Sequence, residues 1–332
     1  MSLPIWNQIE GNCAVTTRNF VEQMAKSDEE PKFSQLLQLA DLETDQIGEF
    51  KSAWPSVPEA RRRQVVESLL ELSEENLHLD FTDVFIACLS DGDDEVREVA
   101  TRGLSTCEDR TVIRPLVALL NDDTSVPVRA AAAMALSNFA AMALDGKLIT
   151  RDEDRIRVAL MTTIEREDEF LEVKRRAIET VARLQAPGIV EIIEDAFDSG
   201  SLELKQSAIY AMGQTSSEEW LPVVLEEMQH ESPAIRFEAA NSVGLLGDEG
   251  LVPELTELLE DDDLEVRLAA VKALGMVGGP MAKRVLQACL DYDDEALEEA
   301  ARAALERVEF DGDPLGLYLD TDTDADEEAE DE

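Results

Sequence analysis

The sequence has few of the residues that carry out chemistry. It holds two histidines and four cysteines in 332 residues. His78 and His230 belong to neither an HExxH helix nor a Cys/His spacing, which excludes the familiar zinc sites. Cys13, Cys88, Cys107 and Cys289 are widely separated and make neither a CxxC pair nor a disulfide framework. There is no GxSxG, no phosphate-binding loop and no dinucleotide fingerprint. A non-catalytic protein with no cofactor and no metal is expected. Aromatic residues make up only 5% of the chain, so its core must be built from alanine and leucine, as in small helix-on-helix units. No stretch reaches about 18 uncharged apolar residues, so no membrane span is expected. Residues 1–25 lack both a basic n-region and a continuous apolar h-region, so no secretory signal is expected and the cytoplasm is the simplest location.

Positive charge is also scarce. There are 74 acidic residues against 29 basic, a formal net charge of -45, and only eight of the basic residues are lysine. Such a chain repels a phosphate backbone, which excludes nucleic acid as an electrostatic partner. Two explanations of the acidity stay open. One is a basic partner held against an acidic face. The other is solubility in concentrated salt, where like charges are screened to within a few ångströms. Low lysine along the whole chain favours the second.

What the sequence does contain is a recurring phrase. Leu204-Lys205-x-x-Ala208, Ile235-Arg236-x-x-Ala239, Val266-Arg267-x-x-Ala270 and Leu297-Glu298-x-x-Ala301 follow one another at intervals of 31 residues. Val96-Arg97-x-x-Ala100 and Val128-Arg129-x-x-Ala132 lie 32 apart. A period of this size predicts an all-α stack of small helical units, each contacting its neighbours. Asp93, Ser125, Ser201, Ser232, Asp263 and Asp294 stand three residues before the apolar residue of the phrase and read as N-caps of a second helix, B. Pro115, Pro222 and Pro253 lie ten residues before their caps, and Pro187 and Pro280 fourteen before theirs; both groups mark the first helix, A, of a unit. Gly213, Gly244 and Gly275 share the beat near the end of helix B, where they permit close backbone approach or a left-handed cap.

The beat breaks between Arg129 and Lys174. An insertion near 137–150, rich in apolar residues, predicts a lengthened helix B and an ordered turn. Residues 76–308 form the repeat array. Residues 1–75 read as a divergent helical cap with a first repeat, including helices over Phe33–Leu42 and Ala60–Leu72. Residues 309–332 carry twelve acidic and no basic residues and read as an acidic tail whose end has too little apolar content to fold alone.

Arg97, Arg129, Lys174, Lys205, Arg236 and Arg267 occupy one position of the phrase. They are either a basic stripe for an anionic ligand or a ladder joining units. A charge repeated within a packing phrase favours the ladder, with Asp94, Asp122, Asp123, Asp262 and Asp263 as nearby acceptors, because a guanidinium satisfies several acceptors at once. The aspartate runs lack the EF-hand alternation and read as helix caps. Outward positions of the B helices, exemplified by Arg102, Glu179, Glu238 and Lys272, are the candidate protein contacts, while Tyr210 and Phe237 serve either as anchors or as packing.

The segments DDEVREVATRGL, SPAIRFEAANSVGLLG and DDDLEVRLAAVKALGMVG resemble HEAT repeats, specifically the short HEAT-like repeats of phycobilisome lyases, and the composition resembles that of haloarchaeal proteins. The resemblance covers about residues 76–308. It implies antiparallel helix pairs in a curved, right-handed αα superhelical solenoid with helix B on the concave side, and protein–protein scaffolding as the commonest role. A narrower expectation, from class and composition, is an adaptor in archaeal chemotaxis signalling to the archaellum. The alternative is a HEAT-like maturation factor or bilin-lyase-like enzyme, for which the shared repeats are the sole support. The expected partner is another protein.

Overall fold

The computed structural model describes residues 16–27, 31–76, 78–184 and 186–312. The reading of 309–332 as an acidic tail therefore falls almost wholly outside the described residues, as do Cys13 and most of the cap proposed for residues 1–25. All regular structure among the described residues is helical, with no strand.

The chain divides after Ala186 into two compact units. The first contains α1 (Thr17–Lys26), α2 (Phe33–Leu36), α3 (Thr44–Ala53), α4 (Glu59–Glu75), α5 (Thr82–Cys88), α6 (Asp94–Arg102), α7 (Ile113–Asp122), α8 (Val126–Leu144), α9 (Thr150–Glu165) and α10 (Leu171–Val181). The second contains α11 (Ile189–Phe197), α12 (Leu202–Gln214), α13 (Leu221–Glu227), α14 (Pro233–Leu246), α15 (Val252–Glu257), α16 (Leu264–Val277), α17 (Gly279–Cys289) and α18 (Glu295–Gly312). From α3 onward the helices alternate as A and B. Each B helix packs on neighbouring B helices of its own unit: α4 on α6 on α8 on α10, and α12 on α14 on α16 on α18.

The pattern of small and apolar residues explains this arrangement. On α16, Val266, Ala269, Ala270, Ala273 and Leu274 are all buried, which leaves a narrow stripe against which the neighbouring backbone can lie. Helix α13 has seven residues and α15 six, too short to persist alone in water, so the stack supplies their stability. Gly244 shows how close the approach is. A Cβ there would lie 2.8 Å from Ala273 Cα on the next B helix, and Gly213 and Gly275 hold the same register against Ser242 and Ala304. Two hydroxyls bridge B helices directly: Ser242 Oγ donates to Ile209 O at 2.8 Å, and Thr180 Oγ1 donates to Ala133 O at 3.0 Å.

The helix starts follow the repeat, with one difference. The side chains of Asp93, Ser201, Asp263 and Asp294 accept first-turn N–H groups. Ser125 and Ser232 occupy the N-cap positions but make no side-chain cap bond. Pro127 and Pro233 in those first turns remove one N–H that would otherwise need a partner. The A helices containing Pro115, Pro222 and Pro253 each follow a short 3-10 turn, at Arg110–Val112, Glu218–Trp220 and Glu249–Leu251.

Two further findings refine the sequence reading. Phe33–Leu42 is not one helix: α2 gives way to a 3-10 turn at Leu37–Leu39, Ala40 is extended, and Asp41 takes φ 52° while its N–H donates to Asp80 O at 2.8 Å. Helix α8 is long and apolar enough, by length and composition, to cross a membrane. It carries Arg129, however, and buries most of its first half against α6, α7 and α10, as the central helix of a packed unit does.

Candidate protein-interaction surface

Arg236 shows how the repeated cations are used. Its Nε and Nη2 donate to the two carboxylate oxygens of Asp261, both at 2.7 Å, and Nη1 donates to His230 O at 2.9 Å and Glu231 O at 3.2 Å. Asp261 in turn accepts from Asp263 N at 2.9 Å, and its own carbonyl accepts from Arg267 Nη1 at 2.8 Å. One aspartate thus receives the guanidinium of the preceding unit on its side chain, shapes the turn into its own B helix, and holds the arginine of its own unit by its backbone.

Asp123 repeats this arrangement in the first unit. It accepts from Arg97 Nε and Nη2 at 2.8 Å and from Ser125 N at 2.8 Å, while its carbonyl receives Arg129 Nη1 at 2.8 Å. Asp91 does the same for an arginine the repeat phrase does not reveal. Its carboxylate meets Arg62 Nε at 3.0 Å and accepts from Trp54 Nε1 at 2.8 Å and Asp93 N at 3.0 Å, while its carbonyl receives Arg97 Nη1 at 3.0 Å.

Other rungs depart from this form. Arg129 reaches Glu169 at 2.6 Å, across the insertion. Lys205 pairs with Glu227 at 2.7 Å and lies 4.7 Å from the centre of the Phe197 ring. In this rung the position corresponding to Asp261 is held by His230, whose Nδ1 accepts from Ser232 N at 2.9 Å. Arg267 reaches Asp294 at 3.4 Å. Lys174 is half-buried and makes no ion pair among the described residues.

The carboxylates respond to these partners. Burial alone would raise Asp123 and Glu169, but hydrogen bonds from Arg97 and Ser125 N–H, and from Arg129 and Phe170 N–H, hold both below the ordinary carboxylate value. Asp261 is lowered chiefly by the Arg236 hydrogen bond, against the opposing effect of burial. The side chains of these three acids are less than a tenth exposed. Arg97, Arg129 and Arg236 each use all three of their guanidinium nitrogens in these joints, and their side chains are 11–16% exposed, which leaves little of them open to a ligand.

The residues that do face solvent differ from repeat to repeat. Counting from the ladder cation, the fifth following position carries Arg102, Met134 and Glu179 in the first unit and Tyr210, Asn241 and Lys272 in the second. All are at least partly exposed, and Met134 is 49% exposed. Arg102 is exposed and approaches Glu98 at 3.8 Å, and Lys272 is exposed. Glu179 and Glu238 are half-buried: Arg176 Nη1 donates to Glu179 at 2.9 Å, and Gln206 Nε2 donates to Glu238 at 3.2 Å. The B-helix surface of each unit therefore offers irregular chemistry over a frame of repeated joints.

Sequence reasoning missed Arg62, Asp91 and Asp261 as members of this frame. The signal was present as a six-residue offset, Asp91 to Arg97, Asp123 to Arg129 and Asp261 to Arg267. Among the described residues no group of three or more His, Cys, Asp or Glu side chains is placed to hold a metal. The aspartate runs instead serve backbone N–H groups and arginines. Burial raises the thiols of Cys88, Cys107 and Cys289 above the ordinary cysteine value, which disfavours the thiolate.

The family model for HEAT repeats matches residues 82–147 and 221–306. Both matched stretches lie within the array of helix pairs. No curated protein matches the sequence. Among solved structures, the chain is similar to one from the complex of CpcE and CpcF of phycocyanin lyase from Nostoc sp., with 17% identity over 68% of this chain and 94% of that one and a TM-score of 0.48. It is also similar to one from a structure of Kap95p bound to RanGDP, with 13% identity over 88% and 45% and a TM-score of 0.48. A third is YibA of Escherichia coli, with 17% identity over 73% and 96% and a TM-score of 0.42.

Proposed function

We propose that the protein is a non-catalytic scaffold that binds another protein through the exposed B-helix surface. One observation supports this reading: five of the six repeated cations, all but Lys174, are held in joints between repeats, and the residues turned outward do not repeat. A surface of that kind suits a single irregular protein rather than a repetitive polymer. The acidity of the chain supports work in concentrated salt, where it keeps the scaffold soluble in a cytoplasm of that kind. The narrower role, an adaptor carrying chemotaxis signals to the archaellum, rests on that composition and on the scaffold class. Loss of directed swimming on deletion, with filaments still assembled, is its expected signature, and unchanged swimming removes it.

The scaffold reading is tested by photo-crosslinking in the native host at native salt. Reactive groups at Met134 and Lys272, on B helices, are expected to capture the same protein. A group at Val158, 63% exposed on the A helix α9, is expected not to capture it. Capture from Val158 alone, or none from any position, overturns the reading.

A further inference from the structure

The first unit has a groove of about 770 Å³ on its B-helix side, framed by α2, α4 and α6. Pro31, Phe33 and Val99 give it apolar walls, and Glu67, Glu71 and Glu95 line it with carboxylates. Phe33 is 49% exposed, an aromatic ring left in water in a chain that has few aromatics.

The charges here are unbalanced in a way that the ladder is not. Glu67 and Glu71 are exposed, lie one turn apart on α4 and make no ion pair among the described residues. Like charges at that spacing weaken a helix. Two cations share the groove. Arg63 is already engaged by Glu59, Asp93 and Glu95, at 2.6–2.8 Å. Lys32 is exposed on the rim. Beside the groove, Glu98 is raised by burial and by neighbouring Glu67 and Glu95, with Arg102 opposing. The carboxylates are thus gathered against an apolar wall with too few cations of the chain's own to neutralise them.

We infer that this groove docks a basic amphipathic helix of a second protein, with its apolar stripe against Phe33 and Val99 and its lysines or arginines on Glu67 and Glu71. Helix-in-groove recognition uses this combination of an apolar seat and charged edges. A cationic side chain also gains from the face of Phe33. In molar salt, charges are screened beyond about 3 Å, so the contact must be direct and the apolar seat must supply much of the affinity. Complementary charge identifies the occupant, because an acidic or neutral helix would leave Glu67 and Glu71 facing like charge or nothing.

The inference rests on the scaffold reading, and the test separates the two. A photoreactive phenylalanine analogue replaces Phe33 in the full chain, in the native host, and the captured peptide is mapped by mass spectrometry. The expected product is a segment of another protein with lysine or arginine recurring at helical spacing. Yield should fall at least tenfold with Glu67→Lys and Glu71→Lys together, in a chain whose helicity by circular dichroism is unchanged. The neutral pair Glu67→Gln and Glu71→Gln should give an intermediate loss. Capture of an acidic or uncharged segment, of a second copy, or of this chain's own residues overturns the docking proposal. So does silence at Phe33 while Met134 and Lys272 still capture a partner, an outcome that leaves the scaffold reading standing. Silence at all three positions removes both.

Discussion

Replacing Arg236 by alanine should destabilise the second unit by about 2–3 kcal/mol, between the values for exposed and fully buried ion pairs. The substitution removes four hydrogen bonds, two to the Asp261 carboxylate and one each to His230 O and Glu231 O. It leaves Asp261, whose side chain is 8% exposed, with the Asp263 N–H as its remaining hydrogen-bond donor at that carboxylate. An exposed pair is worth about 0–1 kcal/mol, whereas breaking a fully buried one costs about 3–5. The Arg236 side chain is 16% exposed, which places this pair between those limits. Arg236→Lys keeps the charge but cannot span both the carboxylate and the carbonyls, so a loss of about 1–2 kcal/mol is expected. Urea denaturation followed by circular dichroism, at one fixed high salt concentration, gives these differences. Combining Arg236→Ala with Asp261→Ala should show a coupling of about 1–2 kcal/mol. If Arg236→Ala changes stability by less than about 0.5 kcal/mol, the typical effect of an inert surface substitution, the ladder is not a structural joint. If that variant instead loses a bound partner at unchanged stability, the cations are a recognition stripe.

Three other outcomes follow from the same geometry. Gly244→Ala, which by helix propensity alone should stabilise by about 1 kcal/mol, should instead destabilise by about 1–3, because the new Cβ meets Ala273 backbone at 2.8 Å; Gly92→Ala, with nothing within 4 Å, is the control, and equal melting of the two refutes the close-packing argument. Asp123, Glu169 and Asp261 are held below their ordinary values, so each stabilises the fold above the unfolded carboxylate value of about 4 and loses that contribution as pH falls through its lowered folded value; melting temperature should drop below about pH 4, and drop less steeply in Asp261→Asn, as thermal scans across pH will register. With a formal charge of -45, the chain should lose helicity at low ionic strength and regain it on adding salt, and identical melting at low and molar salt would tie the acidity to a particular basic partner instead.

The helix pairs were legible because the repeat carries its own punctuation. An apolar phrase with a cap three residues before it recurs six times, five of them with a proline further upstream, and the six B helices after Asp93, Ser125, Ser201, Ser232, Asp263 and Asp294 start where that pattern places them. Helices α4 and α10 start without such a cap. The ladder cations were legible as a set, but their acceptors were only partly so. Asp123 stood among the candidates, whereas Asp91 and Asp261 did not, because each lies in an aspartate-rich run and only the packing of one repeat on the next selects the carboxylate that faces the arginine. Glu169 and Glu227 follow no fixed offset; only the packing of one unit on the next brings them to Arg129 and Lys205. The groove was not legible at all. It depends on α2, a single turn in a region without the repeat phrase, and on Asp41 turning the chain with positive φ.

Asp91, Asp123 and Asp261 each serve two arginines, one by the carboxylate and one by the carbonyl, and this has a consequence for how the protein comes apart. Two joints that meet in one residue are coupled, so opening one interface should loosen the next. In a nearest-neighbour description of a repeat array, such sharing strengthens the interfaces relative to the individual units. In the first unit the thread passes from Arg62 through Asp91, Arg97, Asp123 and Arg129 to Glu169. In the second it passes from Arg236 through Asp261 and Arg267 to Asp294. Repeats linked in this way should melt in blocks rather than fray one by one, the smallest piece that folds independently should be a run of several repeats, and truncation within a thread should unfold the remainder of that thread.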